Sequence, residues 1–292
     1  MSTTATAMPG LSTLLRLGRI SNLPTVWTNV LAGSVIAGGA QFSNAIALIV
    51  LAMSAFYVGG MYLNDYFDRA LDARDRPGRP IDAGKIGAGS VLSIGFGLLA
   101  LGVVLMMPFG PRAILCGLLL AGVIVLYDVW HKGNVLSPVV MGLCRALVYI
   151  GTGVAVTGSA SNATIIGAVA LACHVAGLTY AAKQESLDRV ENLWPLVLLA
   201  VPLLATLPVL FSGSMVITAF VLLLAADAFA IWLLAKRPAQ GAVPLAVSGL
   251  IAAICLVDAL AIAVAGGGLV IVAICALGYP LTRLFQRSIP GT

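Results

Sequence analysis

The sequence contains little charge. Only 9% of its 292 residues are charged, whereas about a quarter is usual for a soluble domain. So few charges cannot cover a water-facing surface, which excludes an ordinary soluble enzyme. Disorder is excluded as well, because 60% of the residues are hydrophobic.

The cysteines and the N-terminal region also lack familiar patterns. The five cysteines stand singly in apolar stretches, at spacings that suit neither zinc nor a redox pair. The N-terminal region has no short apolar stretch followed by a small-residue cleavage site, so we expect no signal peptide. The net charge of +5 does not indicate nucleic acid as a partner, since the basic residues lie between apolar segments, as the positive-inside rule expects.

Long apolar runs dominate what is present. The mean hydropathy is +1.06, and stretches of about 20 apolar residues are typical of membrane-spanning helices. The sequence therefore predicts an all-α polytopic membrane protein, one domain over residues 1–292, with kinks at the prolines of the seventh segment. The ten predicted segments cover about 23–41, 44–63, 88–109, 113–127, 135–157, 163–182, 193–211, 214–235, 242–265 and 267–285.

The connections between the segments differ in charge. Fourteen of the sixteen basic residues and nine of the eleven acidic residues fall in one alternating set of connections and termini. The positive-inside rule predicts that this set is cytoplasmic and that both chain ends lie there. Its principal polar parts form a predicted cytoplasmic cap with loops at about 64–87, 128–134 and 183–192.

An acidic motif ends the second segment. Asn64, Asp65, Asp68 and Asp72 are spaced so that one helix face carries all four. At 1.5 Å per residue, Asp65 and Asp72 stand about 10 Å apart. Aligned carboxylates repel one another unless cations lie between them, and Mg²⁺ suits such a row because it binds one or two carboxylates plus substrate phosphates.

Arginines follow this motif in a loop broken by proline and glycine. Arg76 and Arg79 can fold back over the acidic row, and arginine recognises phosphate in a bidentate manner. Acids, magnesium and arginines together predict a diphosphate site. The alternative is a solvated loop held by salt bridges.

Two further polar stretches end later segments. Glu185, Asp188 and Asn192 repeat the spacing of Asp65, Asp68 and Asp72, with Lys183 beside them. This repeat predicts a second, facing metal site, although a plain cytoplasmic loop also accounts for it.

The fourth segment ends with Tyr127 and Lys132, which offer a hydroxyl near a reacting centre and a charge for phosphate. Interfacial anchors are the alternative for these two residues. Arg19 and Asn22, just before the first segment, supply another phosphate donor and an amide.

Charges inside the segments predict structural contacts. Arg145 and Asp227 lie at comparable depths of about 12–15 Å along their segments, and intramembrane charges usually pair. We therefore expect an Arg145–Asp227 ion pair. We also expect His174 to be a hydrogen-bonded structural residue, and Asp258 to lie near the outer face, where it snorkels or caps a helix.

These motifs resemble those of the UbiA superfamily of intramembrane prenyltransferases, over roughly residues 14 to 265, and the chain is similar to the UbiA-like proteins called EboC. The resemblance rests on the acidic motif, Arg76, Arg79-Pro80, Tyr127 to Lys132 and the second acidic motif. It implies a bundle of nine to ten transmembrane helices around a central lipid-open cavity. Two departures are a second motif with fewer aspartates than usual and a tenth segment where nine are typical.

The resemblance also implies roles for individual residues. The metal ligands would be Asn64, Asp65, Asp68, Asp72, Glu185 and Asp188. The diphosphate would be bound by Arg19, Asn22, Asn64, Arg76, Arg79, Lys132 and Lys183. Asp65, Asp68, Asp72 and Asp188 would serve catalysis through the metal, and Tyr127 would lie near the allylic carbon.

The implied activity is Mg²⁺-dependent transfer of an isoprenyl group from an isoprenyl diphosphate to a small aromatic or other cyclic, polar acceptor. Membrane lipid surrounds such an enzyme, and we expect it in a bacterial inner membrane with its active site facing the cytoplasm. The alternatives are a phosphoribosyl transferase or terpene cyclase on the same scaffold, a transporter, and a non-catalytic lipid-binding relative. A transporter would place its polar site near the midplane.

Overall fold

The structure is a computed structural model that describes residues 9–39, 42–75, 78–183, 192–237 and 240–291. Within those ranges the regular structure is helical, with no strand. The helices are α1 Leu11–Leu17, α2 Leu23–Ile36, α3 Asn44–Asp75, α4 Ala88–Met106, α5 Pro111–Trp130, α6 Ser137–Thr157, α7 Asn162–Lys183, α8 Val201–Thr206, α9 Ser214–Lys236, α10 Ala242–Val264 and α11 Leu269–Phe285.

All ten predicted apolar segments coincide with helical structure. Eight of the described helical segments are long and apolar enough to cross a membrane, whereas α11, with 17 residues, and α2, with 14, are shorter. Large apolar side chains such as Phe96, Leu119 and Phe229 are exposed on the outside of the bundle, which suits contact with lipid rather than water. The protein is therefore a multi-pass integral membrane protein with an all-α fold, as predicted.

The seventh segment is irregular, as its three prolines predict. Pro195, Pro202 and Pro208 each stand near the start of a short helical piece. Only α8 is α-helical, and 3₁₀-helices flank it at Trp194–Ala200 and Leu207–Ser212. A proline has no amide hydrogen to donate, so each one interrupts the regular hydrogen-bond series and begins a new piece.

Helix α3 continues well beyond its apolar stretch. The predicted segment ended near residue 63, but the helix runs to Asp75. Residues 64–75, predicted as part of a cap loop, therefore lie on a rigid helix. The first acidic motif is displayed by that extension, with its side chains on one helix face.

Helix α10 lies at the centre of the second half of the molecule. It packs against α2, α7, α9 and α11, and 72% of its most apolar stretch is buried inside the protein. A second apolar core lies among the five helices from α2 to α6, around Phe56, Leu99 and Leu120. Because α2 and α6 contribute to both cores, they connect the two halves.

The contact between α6 and α7 depends on a glycine. A Cβ atom at Gly142 would lie 2.5 Å from the backbone oxygen of Ala172. Backbones approach this closely only where a small residue faces the neighbouring helix. The resulting tight pairing fixes the position of α6, which carries Arg145 into the bundle.

The predicted Arg145–Asp227 ion pair is wrong. Arg145 donates hydrogen bonds to α2, whereas Asp227 approaches His174, with 3.8 Å between Oδ2 and Nδ1. Equal depth along two helices did not predict contact, because depth says nothing about the direction in which each side chain points. Asp258 was expected to snorkel or to cap a helix, and this is also wrong: its carboxylate is completely buried and accepts hydrogen bonds from Asn29 and Tyr149.

Candidate active site at the cavity mouth

A cavity of about 440 Å³ opens among five helices. Its mouth is polar and its deeper walls include apolar side chains such as Met61, Met141 and Ile254. The walls come from α3, α5, α6, α7 and α10 and from the residues just before α2. An adjoining apolar pocket between α3, α5 and α6 shares Tyr57, Met61 and Tyr127 with this cavity.

The first acidic motif lies at the cavity mouth. Asn64, Asp68 and Asp72 line the cavity. These three and Asp65 are each less than 10% exposed. Buried carboxylates require compensating charge, and nearby basic side chains provide it. The predicted acidic row therefore exists, on one face of the α3 extension.

Two arginines bind the acidic row from the same side. Arg79 Nη1 lies 2.7 Å from Asp65 Oδ1, and Arg79 Nε lies 3.7 Å from Asp72 Oδ2. Arg19 Nη2 donates to Asn64 Oδ1 at 3.2 Å and lies 3.4 Å from Asp65. Burial alone would lower the pKa of Arg19, but the Asp65 carboxylate raises that pKa above its ordinary value. These contacts hold both guanidinium groups at the mouth.

Two residues after α5 bind Asp68. Lys132 Nζ lies 3.2 Å from Asp68 Oδ2, and His131 Nε2 lies 3.3 Å from Asp68 Oδ1. The His131 ring stacks on Tyr127, with centroids 4.8 Å apart. The end of α5 therefore faces the α3 motif across the mouth. We name these eight residues the rim cluster: Arg19, Asn64, Asp65, Asp68, Asp72, Arg79, His131 and Lys132.

Sequence reasoning missed His131 and Asp128. Asn64 Nδ2 donates to Asp128 Oδ1 at 3.3 Å, while Asp128 Oδ2 is buried without a hydrogen-bond partner. The sequence contained a signal, because His131 follows Tyr127 by four residues and Asp128 by three, which makes it a neighbour of both on a helix surface. An acid directly after an apolar segment could have been read as a third acidic position.

Three other predicted residues also line the cavity: Asn22, Tyr127 and Lys183. Asn22 Nδ2 donates to the Gly291 carbonyl at 3.0 Å, so the segment after α11 reaches the mouth. Lys183 Nζ donates to Asn134 O at 2.6 Å and Ser137 Oγ at 2.8 Å, which ties α7 to the α5–α6 connection.

Three predicted site residues, Arg76, Glu185 and Asp188, lie outside the described residues. Asn192, the last position of the second acidic motif, accepts a hydrogen bond from the Trp194 amide.

The rim cluster can hold a metal ion only together with other ligands. Among the residues that the structure describes, no three Asp, Glu, His or Cys side chains converge as a metal site of their own. Mg²⁺ does not need such a cage, because water and substrate phosphates complete its octahedron. Mg²⁺ prefers hard oxygen donors. The acidic row supplies such oxygens, and so does Asp128 Oδ2 behind it, which is buried without a hydrogen-bond partner.

Comparison with known proteins shows which family the chain resembles. A model of the UbiA prenyltransferase family matches residues 26–245. A digeranylgeranylglyceryl phosphate synthase of Ignicoccus hospitalis is 38% identical over 97 residues, which are 33% of this chain and 31% of that protein. A protoheme IX farnesyltransferase of Exiguobacterium sibiricum is 32% identical over 146 residues, or 46% and 47%. The chain thus spans less than half the length of these two curated relatives.

A solved structure has the same fold. A UbiA homolog from Archaeoglobus fulgidus, bound to GPP and Mg²⁺, superimposes with a TM-score of 0.62 at 14% identity. The superposition covers 87% of this chain and 99% of that one. The two proteins therefore share the arrangement of their helices despite very different sequences.

Proposed function

Because the chain belongs to the UbiA prenyltransferase family, we propose that it is a Mg²⁺-dependent intramembrane prenyltransferase. Its donor substrate is an isoprenyl diphosphate, and its acceptor is a small molecule with a polar, nucleophilic group. The products are the prenylated acceptor and diphosphate. The relatives named above carry two different acceptor chemistries in their names, so family membership alone does not choose the acceptor.

One observation carries this proposal: a cluster of acids and bases at the mouth of a cavity whose deeper walls are apolar. An isoprenyl diphosphate has the same polarity, with a polyanionic head and a hydrocarbon tail. The head fits the rim cluster and the tail fits the apolar pocket between α3, α5 and α6. A transporter would instead need its polar site near the middle of the membrane.

The rim cluster fits the metal that this chemistry needs. We propose Asn64, Asp65, Asp68 and Asp72 as its ligands, with Glu185 and Asp188 as a second set. Bound there, Mg²⁺ would neutralise charge on the departing diphosphate. In the structure the same carboxylates contact Arg19, Arg79 and Lys132, so these acids accommodate a cation at close range.

The basic residues of the rim have a second role in the reaction. As the allylic C–O bond breaks, its electron pair leaves with the diphosphate, and preorganised cations lower the energy of that developing charge. Arg19, Arg79 and Lys132 are placed for this, with Arg76 and Lys183 proposed beside them. Asn22 and Asn64 contribute amide hydrogen bonds to the same head group.

The cavity wall has to protect the allylic carbon from water. Tyr127 lines both the cavity and the apolar pocket, which is where the first carbons of the tail would lie. Met61 and Met141 surround the same junction and exclude water. The acceptor then supplies an electron pair to the allylic carbon, forms the new bond and loses a proton.

We propose that the rim cluster faces the cytoplasm, in a bacterial inner membrane. The support is the bias of basic residues, fourteen of sixteen, toward one set of connections. A reporter enzyme fused after Thr292 should then be active in the cytoplasm. A periplasmic signal would overturn the proposed orientation without affecting the reaction.

The reaction is tested with purified full-length protein in lipid nanodiscs. It is incubated with isoprenyl diphosphates of increasing length and a cell extract, and products are identified by mass spectrometry. We expect diphosphate release that needs Mg²⁺ and stops with a chelator. Release without Mg²⁺, or none with any donor, would overturn the proposal. A cyclic product formed without acceptor would indicate a cyclase.

A matched pair of variants connects the reaction to the site. Asp68→Asn removes a carboxylate that lines the cavity, whereas Asp82→Asn makes the same change at an exposed position outside it. We expect turnover to fall about a thousandfold in the first variant, the size of effect seen when a transition-state contact is removed, and to stay unchanged in the second. Equal activity in the two would contradict the assignment.

A further inference from the structure

Arg145 occupies an unusual position in the cavity wall. It lies eight residues after Ser137 at the start of α6, or about 12 Å into the bundle. It lines both the main cavity and the apolar pocket, and it is partly exposed. The guanidinium therefore stands where the two spaces meet, below the rim cluster.

The direct partners of Arg145 are neutral. Nη1 donates to Asn29 Oδ1 at 2.8 Å, and Nη2 donates to Thr25 Oγ1 at 3.0 Å. The guanidinium carbon also lies 5.6 Å from the centre of the Tyr57 ring. In the part of the chain that the structure describes, Arg145 forms no ion pair with a carboxylate. This distinguishes it from Arg19 and Arg79 above it.

The orientation of these partners is fixed from behind. Asn29 Nδ2 donates to both carboxylate oxygens of Asp258 at 2.8 Å, so the amide oxygen must face Arg145. Asp258 is completely buried and also accepts a hydrogen bond from Tyr149 Oη at 2.5 Å. We name Arg145, Asn29, Asp258 and Tyr149 the interior layer. The Asp258 carboxylate offsets the charge of Arg145 without touching it, because the Asn29 side-chain amide lies between them.

This arrangement leaves part of the guanidinium unused. Arginine has five N–H donors, and among the described residues Asn29 and Thr25 accept hydrogen bonds from two of them. A charged side chain deep in a membrane is costly and usually marks a functional site. A structural link between α6 and α2 explains the two bonds, but it does not explain why the group is left open to the cavity.

We propose that Arg145 binds an anionic group, a carboxylate or a phosphate, on the acceptor substrate. This rests on the proposed function, since the cavity must hold the acceptor beside the donor's allylic carbon. Guanidinium recognises both anions with paired hydrogen bonds. The anionic end of the acceptor lies at Arg145, away from the carboxylates of the rim cluster, and its nucleophilic end points toward the donor.

The test measures binding, so it needs no knowledge of the natural acceptor. Full-length protein in non-ionic detergent is first saturated with Mg²⁺ and a non-reactive prenyl thiodiphosphate, which occupies the rim cluster. Octyl phosphate, octanoate and octanol are then titrated by calorimetry. We expect at least one anion to bind about tenfold or more tighter than the alcohol, as a charged hydrogen bond would produce. The preferred anion distinguishes phosphate from carboxylate.

Variants then assign the preference to one residue. Arg145→Gln should reduce binding of the anion to the level of octanol, and Arg145→Lys should keep part of it. Arg112→Gln is the matched control, because Arg112 is exposed and donates to the Gly158 carbonyl outside the cavity. Anion binding that is unchanged in Arg145→Gln would overturn the proposal.

Two failures can be told apart in this design. Absence of thiodiphosphate binding in the unaltered protein would refute the proposed function. Normal thiodiphosphate binding with no preference for either anion over octanol would refute the role of Arg145 alone. The second result needs no variant, so the proposal stays testable even if Arg145→Gln does not fold.

Discussion

The rim cluster and the interior layer hold their charges in different ways. In the rim cluster, acids and bases touch directly, as in the 2.7 Å contact of Arg79 with Asp65. In the interior layer, Arg145 and Asp258 are separated by the side chain of Asn29. Direct ion pairs at a cavity mouth can exchange partners with a metal and a polyanion. A charged group held by neutral hydrogen-bond partners has no ion pair to exchange, so the position of its side chain is fixed.

The difference predicts which region controls stability. Asp258→Ala leaves the Asn29 amide and the Tyr149 hydroxyl without an acceptor, and each buried orphan costs about 1–3 kcal/mol. We expect the free energy of unfolding to fall by about 2–6 kcal/mol, measured by unfolding in mixed detergent.

The matched comparisons for this prediction are Asp258→Asn and Asp65→Asn. Asp258→Asn keeps an oxygen for Tyr149 and should lose less stability than Asp258→Ala. Asp65→Asn, in the rim cluster, should lose less stability than Asp258→Ala, because the new amide oxygen can still accept hydrogen bonds from Arg19 and Arg79 and Arg79 keeps its contact with Asp72. If variants in the interior layer and the rim cluster lost equal unfolding free energy, the two regions would not differ in their contribution to stability.

The second prediction concerns substrate binding at the rim cluster. Arg79 contacts both Asp65 and Asp72, and we propose that it turns to the diphosphate. Arg79→Gln should raise the KM for the isoprenyl diphosphate about 10- to 100-fold, the range of one or two charged hydrogen bonds. Steady-state kinetics measure it, with Lys236→Gln, at an exposed position at the end of α9, as the control. An unchanged KM would mean that Arg79 only neutralises acids.

The sequence predicted the rim cluster better than the interior layer, for a physical reason. Asn64, Asp65, Asp68 and Asp72 belong to one helix, so their shared face follows from helical spacing alone. The interior layer joins α2, α6 and α10, and which side chains meet there depends on how three helices are rotated. Single-sequence spacing does not contain that rotation, which is why Arg145 was paired with Asp227 instead of Asn29.

The third prediction tests His131, which links the two sides of the mouth. His131 Nε2 lies 3.3 Å from Asp68, and the ring stacks on Tyr127. His131→Phe keeps the stacking ring but removes the nitrogen, so turnover should fall about three- to tenfold, as for one hydrogen bond of about 1 kcal/mol. Product formation at saturating Mg²⁺ measures this. A loss as large as that of Asp68→Asn would make His131 a direct participant.

The last prediction concerns a buried pair that belongs to neither region. His174 and Asp227 are completely or almost completely buried, yet their closest atoms are 3.8 Å apart and all four polar atoms lack a hydrogen-bond partner. Neither residue lines the main cavity. A buried polar pair without good geometry does not recover its desolvation cost. Asp227→Asn should therefore leave the unfolding free energy unchanged or raise it by up to about 1 kcal/mol, in contrast to Asp258→Asn. A loss above that size in thermal or detergent unfolding would mean that His174 and Asp227 form a true ion pair, and that the interior of the bundle holds charge by direct contact as the rim cluster does.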